Sequence, residues 1–276
     1  MPLSRLFAPS TPLVLVGAGK MGGALVAGWF AQGLDPQSLI VIDPAPPASS
    51  VGLLAKHGVS AGAAAPPGVA AKALVVAVKP QIVKDALPAL RPMIAAETLV
   101  LSIAAGIRIE ALRAGLGRGR IVRSMPNTPA EIGMGMSVAV KADDVGPAGG
   151  AVATALLEAV GAVAWVDEER LMDAVTAVSG SGPAYVFYLV ECLAAAGEAV
   201  GLPSALAGQL ARETVVGAGG LLRQSDLPAE ALRKNVTSPN GTTAAALSVL
   251  MASGGLQELM AAAVQAAKKR SEELSA

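Results

Sequence analysis

The apolar run Leu13-Val14-Leu15-Val16 breaks into Gly17-Ala18-Gly19-Lys20-Met21-Gly22-Gly23 and resumes at helical spacing through Ala24-Leu25-Val26-Ala27-Gly28-Trp29-Phe30. Strand, tight turn and helix in that order constrain this chain more than any other stretch. Gly17, Gly19 and Gly22 form G-x-G-x-x-G: one glycine for the turn, one for approach of the backbone to a pyrophosphate, one for close helix–strand packing. The helix that follows starts with free N–H groups and the positive end of its dipole. The pattern alone is weak, since Gly115-Leu116-Gly117-Arg118-Gly119 also clusters glycines. Context decides. A second strand, Leu39-Ile40-Val41-Ile42, follows at the distance of one βαβ unit and ends on Asp43, about 20 residues past the last glycine. The expected cofactor contacts are therefore Gly17, Ala18, Gly19, Lys20, Met21, Gly22 and Asp43, with a purely structural turn as the alternative.

Length and charge narrow the partners. The 276 residues suffice for two domains, and lysine plus arginine balance aspartate plus glutamate at 21 each. No basic stripe points to nucleic acid or an anionic membrane, so a small-molecule partner is expected. One cysteine, Cys192, and one histidine, His57, exclude an internal disulfide and any cysteine- or histidine-clustered metal site. Cys192 in an apolar helix and His57 beside Gly58 are expected to be structural. The longest uncharged stretches are broken by Ser, Gly, Pro, Asn or Thr, and none resembles a membrane span. The Leu6-Phe7-Ala8-Pro9 segment runs directly into the first strand, so a cleaved signal would remove the fold's first element. The expected compartment is the cytoplasm.

Residues 1–166 alternate β-rich runs with helical or loop segments, which predicts an α/β, Rossmann-like doubly wound sheet. The later strands are expected at Ala73–Val78, Thr98–Ser102, Arg120–Arg123, Met134–Val140 and Val163–Val166. Most are continuous apolar strings, as parallel strands covered on both faces require. From Asp167 the pattern becomes helical, with Asp167 as a possible cap and Glu168 and Glu169 in the first turn. Helices are predicted over about 168–179, 183–200, 204–223, 228–236, 243–253 and 255–274. Residues 167–276 thus form an all-α domain, whose surplus of apolar residues predicts a homodimer or higher homo-oligomer.

In an open α/β sheet, ligands bind outside the carboxyl ends of the strands. Three stretches occupy such places: Val78-Lys79-Pro80, Ser102-Ile103-Ala104-Ala105-Gly106 and Ser124-Met125-Pro126-Asn127-Thr128-Pro129. Small residues such as Ala104 and Ala105 would let a planar ring approach, and Asn127 offers amide donors and an acceptor. The alternative is a set of ordinary turns, with Pro80 and Pro129 as helix starters. In the helical part, Ser179-Gly180-Ser181-Gly182-Pro183-Ala184-Tyr185 interrupts the apolar pattern with an expected loop. Ser238-Pro239-Asn240-Gly241-Thr242-Thr243 opens a helix with free N–H groups, hydroxyls and a glycine, a carboxylate site without a cationic side chain. N-capping by Ser238 or Thr242 alone is the plainer explanation.

From Leu13 to about Leu274 the chain resembles the Δ1-pyrroline-5-carboxylate reductase family. The resemblance rests on Val78-Lys79-Pro80, Met125-Pro126-Asn127-Thr128-Pro129, Ser179-Gly180-Ser181-Gly182-Pro183-Ala184-Tyr185 and Ser238-Pro239-Asn240-Gly241-Thr242-Thr243. It implies a Rossmann domain, an α-helical dimerisation domain with interleaved helices, and an active site between them near the dimer interface. It also implies hydride transfer from NADPH or NADH to the C=N bond of 1-pyrroline-5-carboxylate, giving L-proline. By that likeness, Gly241 and Thr242 belong to the loop that holds the substrate carboxylate, Thr243 meets the ring nitrogen, and Ser238, Asn235 and Glu169 match positions at or near the site. Glu169 is equally explained as a carboxylate answering a helix dipole. Asn240 stands where the family often has glycine.

The residues themselves favour an imine substrate. A carbonyl reductase must protonate a developing alkoxide, for which a lysine in the helical domain is the expected donor. No lysine occurs between Lys141 and Lys234, and no histidine after His57. A protonated imine brings its own proton, so orientation can carry the catalysis. Tyr185 remains a possible donor. The competing readings are another small imine or carbonyl reductase of the same architecture, and a non-catalytic dinucleotide sensor.

Overall fold

The computed structural model describes residues 2–275. Its first part is a sheet of eight strands: β1 (Leu13–Val16), β2 (Leu39–Ile42), β3 (Ala61–Gly62), β4 (Ala73–Val76), β5 (Leu99–Ser102), β6 (Arg120–Met125), β7 (Gly135–Lys141) and β8 (Gly161–Trp165). Their spatial order is β3-β2-β1-β4-β5-β6-β7-β8. Helices α1 (Lys20–Ala31), α2 (Ala48–Lys56), α3 (Pro80–Leu90), α4 (Ile109–Leu116) and α5 (Pro147–Glu158) connect them. The side-chain period of two divides each strand between two cores. Leu13, Leu15, Val75 and Leu101 join Leu25, Trp29 and Leu156 on one face. Val14, Val16, Leu74, Val76 and Val100 join Val83, Leu87 and Leu112 on the other. The continuous apolar strings are therefore strands buried on both faces, as the sequence predicts.

Two details depart from expectation. The two-residue β3 is too short to carry a periodic signal, yet the Gly62 carbonyl accepts the Asp43 N–H at 2.9 Å and so steadies the end of β2. All neighbouring strands are parallel except β6 and β7, which pair antiparallel. The connection between them holds only a 3₁₀ turn, Thr128–Ile132, and Gly133 in the left-handed region, too little chain for a crossover.

The helix expected over 168–179 is not one helix. A 3₁₀ turn, Glu169–Leu171, leads into the short α6 (Met172–Val175) and then a π turn, Thr176–Gly180. Glu168 occupies the cap position without a side-chain cap bond, so Asp167 does not start the helix. The expected loop at 179–185 is likewise replaced: the π turn passes almost directly into α7 (Gly182–Ala199), with Pro183 in its first turn. Thereafter come α8 (Ser204–Gln224), α9 (Ala229–Asn235), α10 (Thr242–Leu250) and α11 (Leu256–Leu274), close to the predicted bounds.

β8 ends at Trp165 and helical structure begins at Glu169, whereas the compact units divide later: residues 1–180 with 268–276, and residues 181–267. Met172 explains the difference, because it is fully buried against Val138 and Val140 of β7. The end of α11 returns to the first unit, where the Ser271 hydroxyl donates to buried Asp173 at 2.6 Å. In the second unit α7 lies on α8, with Ala207 close to Gly197. Among the described residues of that unit, few apolar side chains are buried, and Phe187 (63%), Val200 (82%) and Val249 (71%) stand open. No helix among the described residues is long and apolar enough to cross a membrane.

Candidate active site

The glycine loop has the geometry that a dinucleotide requires. Gly17 has φ +94°, and a Cβ there would lie 2.8 Å from the Ala77 carbonyl oxygen. At Gly22 a Cβ would meet the Gly17 oxygen at 2.1 Å, whereas at Gly19 it would meet nothing within 4 Å. Two glycines are thus forced by neighbouring backbone, and the third leaves an open face over the start of α1. Gly19 caps that helix without any side-chain bond, so the first N–H groups, from Lys20 onward, remain for an anion. The residues present fit a pyrophosphate.

Asp43 is half-buried at the end of β2, and its carboxylate is tied to backbone on both sides. Oδ2 accepts the Ala18 N–H at 2.7 Å and Oδ1 accepts the Ala45 N–H at 2.9 Å. Each oxygen keeps a further acceptor site for a ribose hydroxyl. Ser50 supports the same loop by donating to the Ala18 carbonyl at 2.6 Å.

Because β1, β4, β5 and β6 are parallel neighbours, the loops after them leave the same edge of the sheet. Val78 abuts Gly17, exposed Lys79 caps α3, and Pro80 opens it. Ala104 is buried and Ala105 exposed. Asn127 follows β6, with its amide engaged by Ser179 and Met136. Glu169 is also engaged: its Oε1 accepts from Ile109 N–H and from Arg123, each at 2.9 Å. It therefore answers a helix dipole, though that of α4 and not of its own helix.

The other expected residues gather in the second unit. Asn235 ends α9, and a turn closed by the Gly241 N–H on the Ser238 carbonyl at 3.1 Å leads to α10. Asn240 has φ +57°, the one positive value at a non-glycine among the described residues. Asparagine tolerates that left-handed region, so the turn is held without a glycine there. Gly241 caps α10 with no side-chain bond, so neither Ser238 nor Thr242 consumes the helix N–H groups. Thr242 is exposed and Thr243 half-buried at the first two helical positions. The arrangement suits a carboxylate on the N-terminus of α10, with the Thr243 hydroxyl one residue further on.

A cleft of about 630 Å³ over α4, lined by Ile109, Arg113, Val140, Asp144 and Glu169 among others, includes none of these loops. Hydrogen bonding to Arg113 there holds the Asp144 carboxyl below the usual carboxylate range. The pairing of Arg123 with Glu169 and that of Ser179 with Asn127 escaped the sequence reading. A charge inside the apolar run Arg120-Ile121-Val122-Arg123 was the available signal for the first; the Ser179–Tyr185 stretch stood out for the second, but nothing local names its partner 52 residues away.

The family described as "Pyrroline-5-carboxylate reductase dimerisation" matches residues 169–274, and that described as "NADP oxidoreductase coenzyme F420-dependent" matches residues 12–106. A pyrroline-5-carboxylate reductase of Pseudomonas aeruginosa is 42% identical over 270 residues, 96% of this chain and 98% of that relative. The chain belongs to the pyrroline-5-carboxylate reductase family. The pyrroline-5-carboxylate reductase of Pisum sativum is 37% identical over the full length of both chains. Among solved pyrroline-5-carboxylate reductases, the Coxiella burnetii structure matches with a TM-score of 0.88 at 35% identity, covering 97% of this chain and 99% of that one. The Plasmodium falciparum structure, solved with NADP bound, matches with a TM-score of 0.76 at 28% identity over 97% of this chain and 99% of that one. The N-terminal Rossmann-like domain and helical dimerisation domain are those of pyrroline-5-carboxylate reductases.

Proposed function

We propose that this protein reduces 1-pyrroline-5-carboxylate to L-proline with NADPH or NADH, the last step of proline synthesis. The observation that carries the substrate half of this reading is the bare N-terminus of α10 behind the Ser238–Gly241 turn. The start of α10 binds the carboxylate through backbone N–H groups, with Gly241 and Thr242 allowing close approach. Thr243 orients the ring nitrogen through its hydroxyl, and Ser238 and Asn235 complete the polar surround. The loop Gly17–Gly22 holds the pyrophosphate, Asp43 the adenosine ribose, and Val78–Pro80, Ala104 and Ala105 flank the nicotinamide half. The reduced nicotinamide supplies a hydride to the imine carbon, whose C=N π electrons pass to nitrogen. The nitrogen already carries its proton, so the chain need not provide one.

The residues 167–276 form the dimerisation and substrate domain in this reading, and the working form is a homodimer or an assembly of dimers in the cytoplasm. No nucleic-acid or membrane partner is proposed. The test follows nicotinamide absorbance with 1-pyrroline-5-carboxylate, with hydroxy acids and with other cyclic imines, and identifies the product. Consumption with pyrroline-5-carboxylate that yields L-proline supports the reading. Turnover only with other compounds would assign a different reductase, and cofactor binding without turnover would assign a sensor.

A further inference from the structure

The side chain of Asn127 is committed within the chain. Its Nδ2 donates to the Ser179 carbonyl at 3.2 Å and lies 3.3 Å from the Ser179 hydroxyl, while Oδ1 accepts the Met136 N–H at 2.8 Å. A carboxamide has two N–H donors. The Nδ2 faces the carbonyl and the hydroxyl of Ser179 while Oδ1 is taken by the Met136 N–H, so both ends of the amide are engaged within the chain.

The segments it joins give this bond its meaning. Ser179 stands in the π turn Thr176–Gly180, and the residue four further on, whose N–H would close an ordinary helical bond to its carbonyl, is Pro183, which has none. That carbonyl needs a partner from elsewhere, and Asn127 supplies it. Gly180 packs on the side chain of Met125, the last residue of β6, where a Cβ would lie 2.5 Å from the Met125 Cε. One amide therefore ties the end of β6, the start of β7 and the π turn, all inside the first compact unit. The strand order places the end of β6 beside that of β5, then β4 and β1. With the pyrophosphate at the β1 turn and the ribose carboxylate on β2, the nicotinamide half extends toward β5 and β6.

We propose that Asn127 is a positioning residue for hydride transfer, which acts by holding Ser179 and so fixing the π turn as a wall at the end of β6, and which does not itself bind the nicotinamide. The proposal rests on the reductase reading above. A wall that shifts misaligns the reacting atoms, and misalignment costs rate while leaving affinity in place.

The test uses the full-length protein and the variants Asn127→Asp, Asn127→Ala and Ser179→Ala. Asn127→Asp keeps an acceptor for Met136 and removes the donors to Ser179. Three quantities are measured: NADPH affinity by nicotinamide fluorescence, kcat with the primary deuterium isotope effect, and amide hydrogen exchange across 176–183 without cofactor. Asn127→Asp should exchange faster in that segment, lose roughly 10- to 100-fold in kcat with a larger isotope effect, and bind NADPH within about twofold of wild type. Ser179→Ala should show a smaller change in the same direction, and combined with Asn127→Ala should add nothing further. Loss of NADPH affinity by about tenfold or more with unchanged exchange would make Asn127 a cofactor contact and overturn the proposal. Lower thermal stability with unchanged kcat and isotope effect would overturn it as well. If Asn127 variants do not fold, Ser179→Ala, which keeps the amide and the carbonyl, carries the same comparison. A wild-type protein inactive on pyrroline-5-carboxylate would defeat the substrate reading, and exchange and affinity would still show whether Asn127 holds the π turn.

Discussion

The Arg123 guanidinium lies 2.9 Å from the Glu169 carboxylate, and the arginine side chain is only 4% exposed. Arg123 sits within β6, in register with Ser102 of β5 and Val140 of β7. A full positive charge inside a sheet is tolerated only when paired, and the same carboxylate oxygen also accepts the first N–H of α4.

Glu169→Ala should therefore destabilise the fold by about 3 kcal/mol, chiefly by leaving Arg123 buried without its partner. Glu169→Gln keeps an acceptor for Ile109 and Arg123 and should lose less. Denaturant unfolding and substrate KM, measured together, separate the two assignments of Glu169. A Gln variant of wild-type stability whose KM for pyrroline-5-carboxylate rises strongly would return the residue to the substrate site.

Gly19 and Gly22 should respond oppositely to alanine. Gly22→Ala puts a methyl 2.1 Å from the Gly17 carbonyl oxygen and should disturb the loop itself, lowering the melting temperature. Gly19→Ala meets no protein atom and should melt as wild type, yet its methyl occupies the face over the bare helix start. Cofactor affinity should drop by roughly tenfold or more, read by fluorescence titration. Unchanged affinity in Gly19→Ala would move the pyrophosphate elsewhere.

How far the fold was legible follows from these same residues. Strands buried on both faces announce themselves as apolar strings, and the glycine pattern gains meaning from the strand before and the helix after it. Asp43 was visible as an acid at a strand end; its second task, holding the Ala18 N–H, was not, because that bond joins residues 25 apart. A loop is expected at 179–185 because Ser, Gly and Pro favour loops locally, whereas the stretch holds the end of a π turn and the start of α7, and the Asn127 amide across 52 residues supplies what the helix lacks. Likewise the Ser238–Thr243 turn could be read for its chemistry, but the left-handed Asn240 could be seen only in the backbone.

That turn gives a graded series. Asn240→Gly should be nearly silent, because glycine adopts φ +57° freely. Asn240→Val should cost about 1–2 kcal/mol locally and raise substrate KM as the turn opens. Thr243→Ala should keep cofactor affinity and lower catalytic efficiency about 5- to 150-fold, the worth of one hydrogen bond of about 1–3 kcal/mol. Wild-type efficiency in a folded Thr243→Ala protein would remove the hydroxyl from the mechanism.

The exposed apolar side chains of the second unit predict association. Val186, Phe187, Tyr188 and Leu189 are consecutive on α7 and all exposed, so they point around most of the helix, more than one neighbour such as α8 can cover. Sedimentation should find the protein a dimer or larger. Phe187→Glu together with Leu193→Glu should shift it toward monomer and reduce activity with it. A folded wild-type monomer at micromolar concentration would contradict the argument.

The last prediction concerns the cofactor. NADH should serve at least as well as NADPH, because the Asp43 carboxylate stands at the end of β2 where it accepts ribose hydroxyls and repels a 2′-phosphate. The following Pro44-Ala45-Pro46-Pro47-Ala48 contains no cation and no hydroxyl, and the next basic residue is Lys56. Proline also lacks the backbone N–H that could hold a phosphate. The structure complicates the obvious test. Asp43 anchors the Ala18 and Ala45 N–H groups at 2.7 and 2.9 Å, so Asp43→Ser should loosen the glycine loop and weaken both cofactors. Asp43→Asn removes the charge and keeps one of the two backbone bonds, so it disturbs the loop less than serine does. The quantity to compare is thus the ratio of kcat/KM for the two cofactors, which should shift toward NADPH by roughly tenfold, the worth of about 1.4 kcal/mol of relieved repulsion. A marked wild-type preference for NADPH, or a ratio that Asp43→Asn leaves unmoved, would reduce Asp43 to an anchor of the loop.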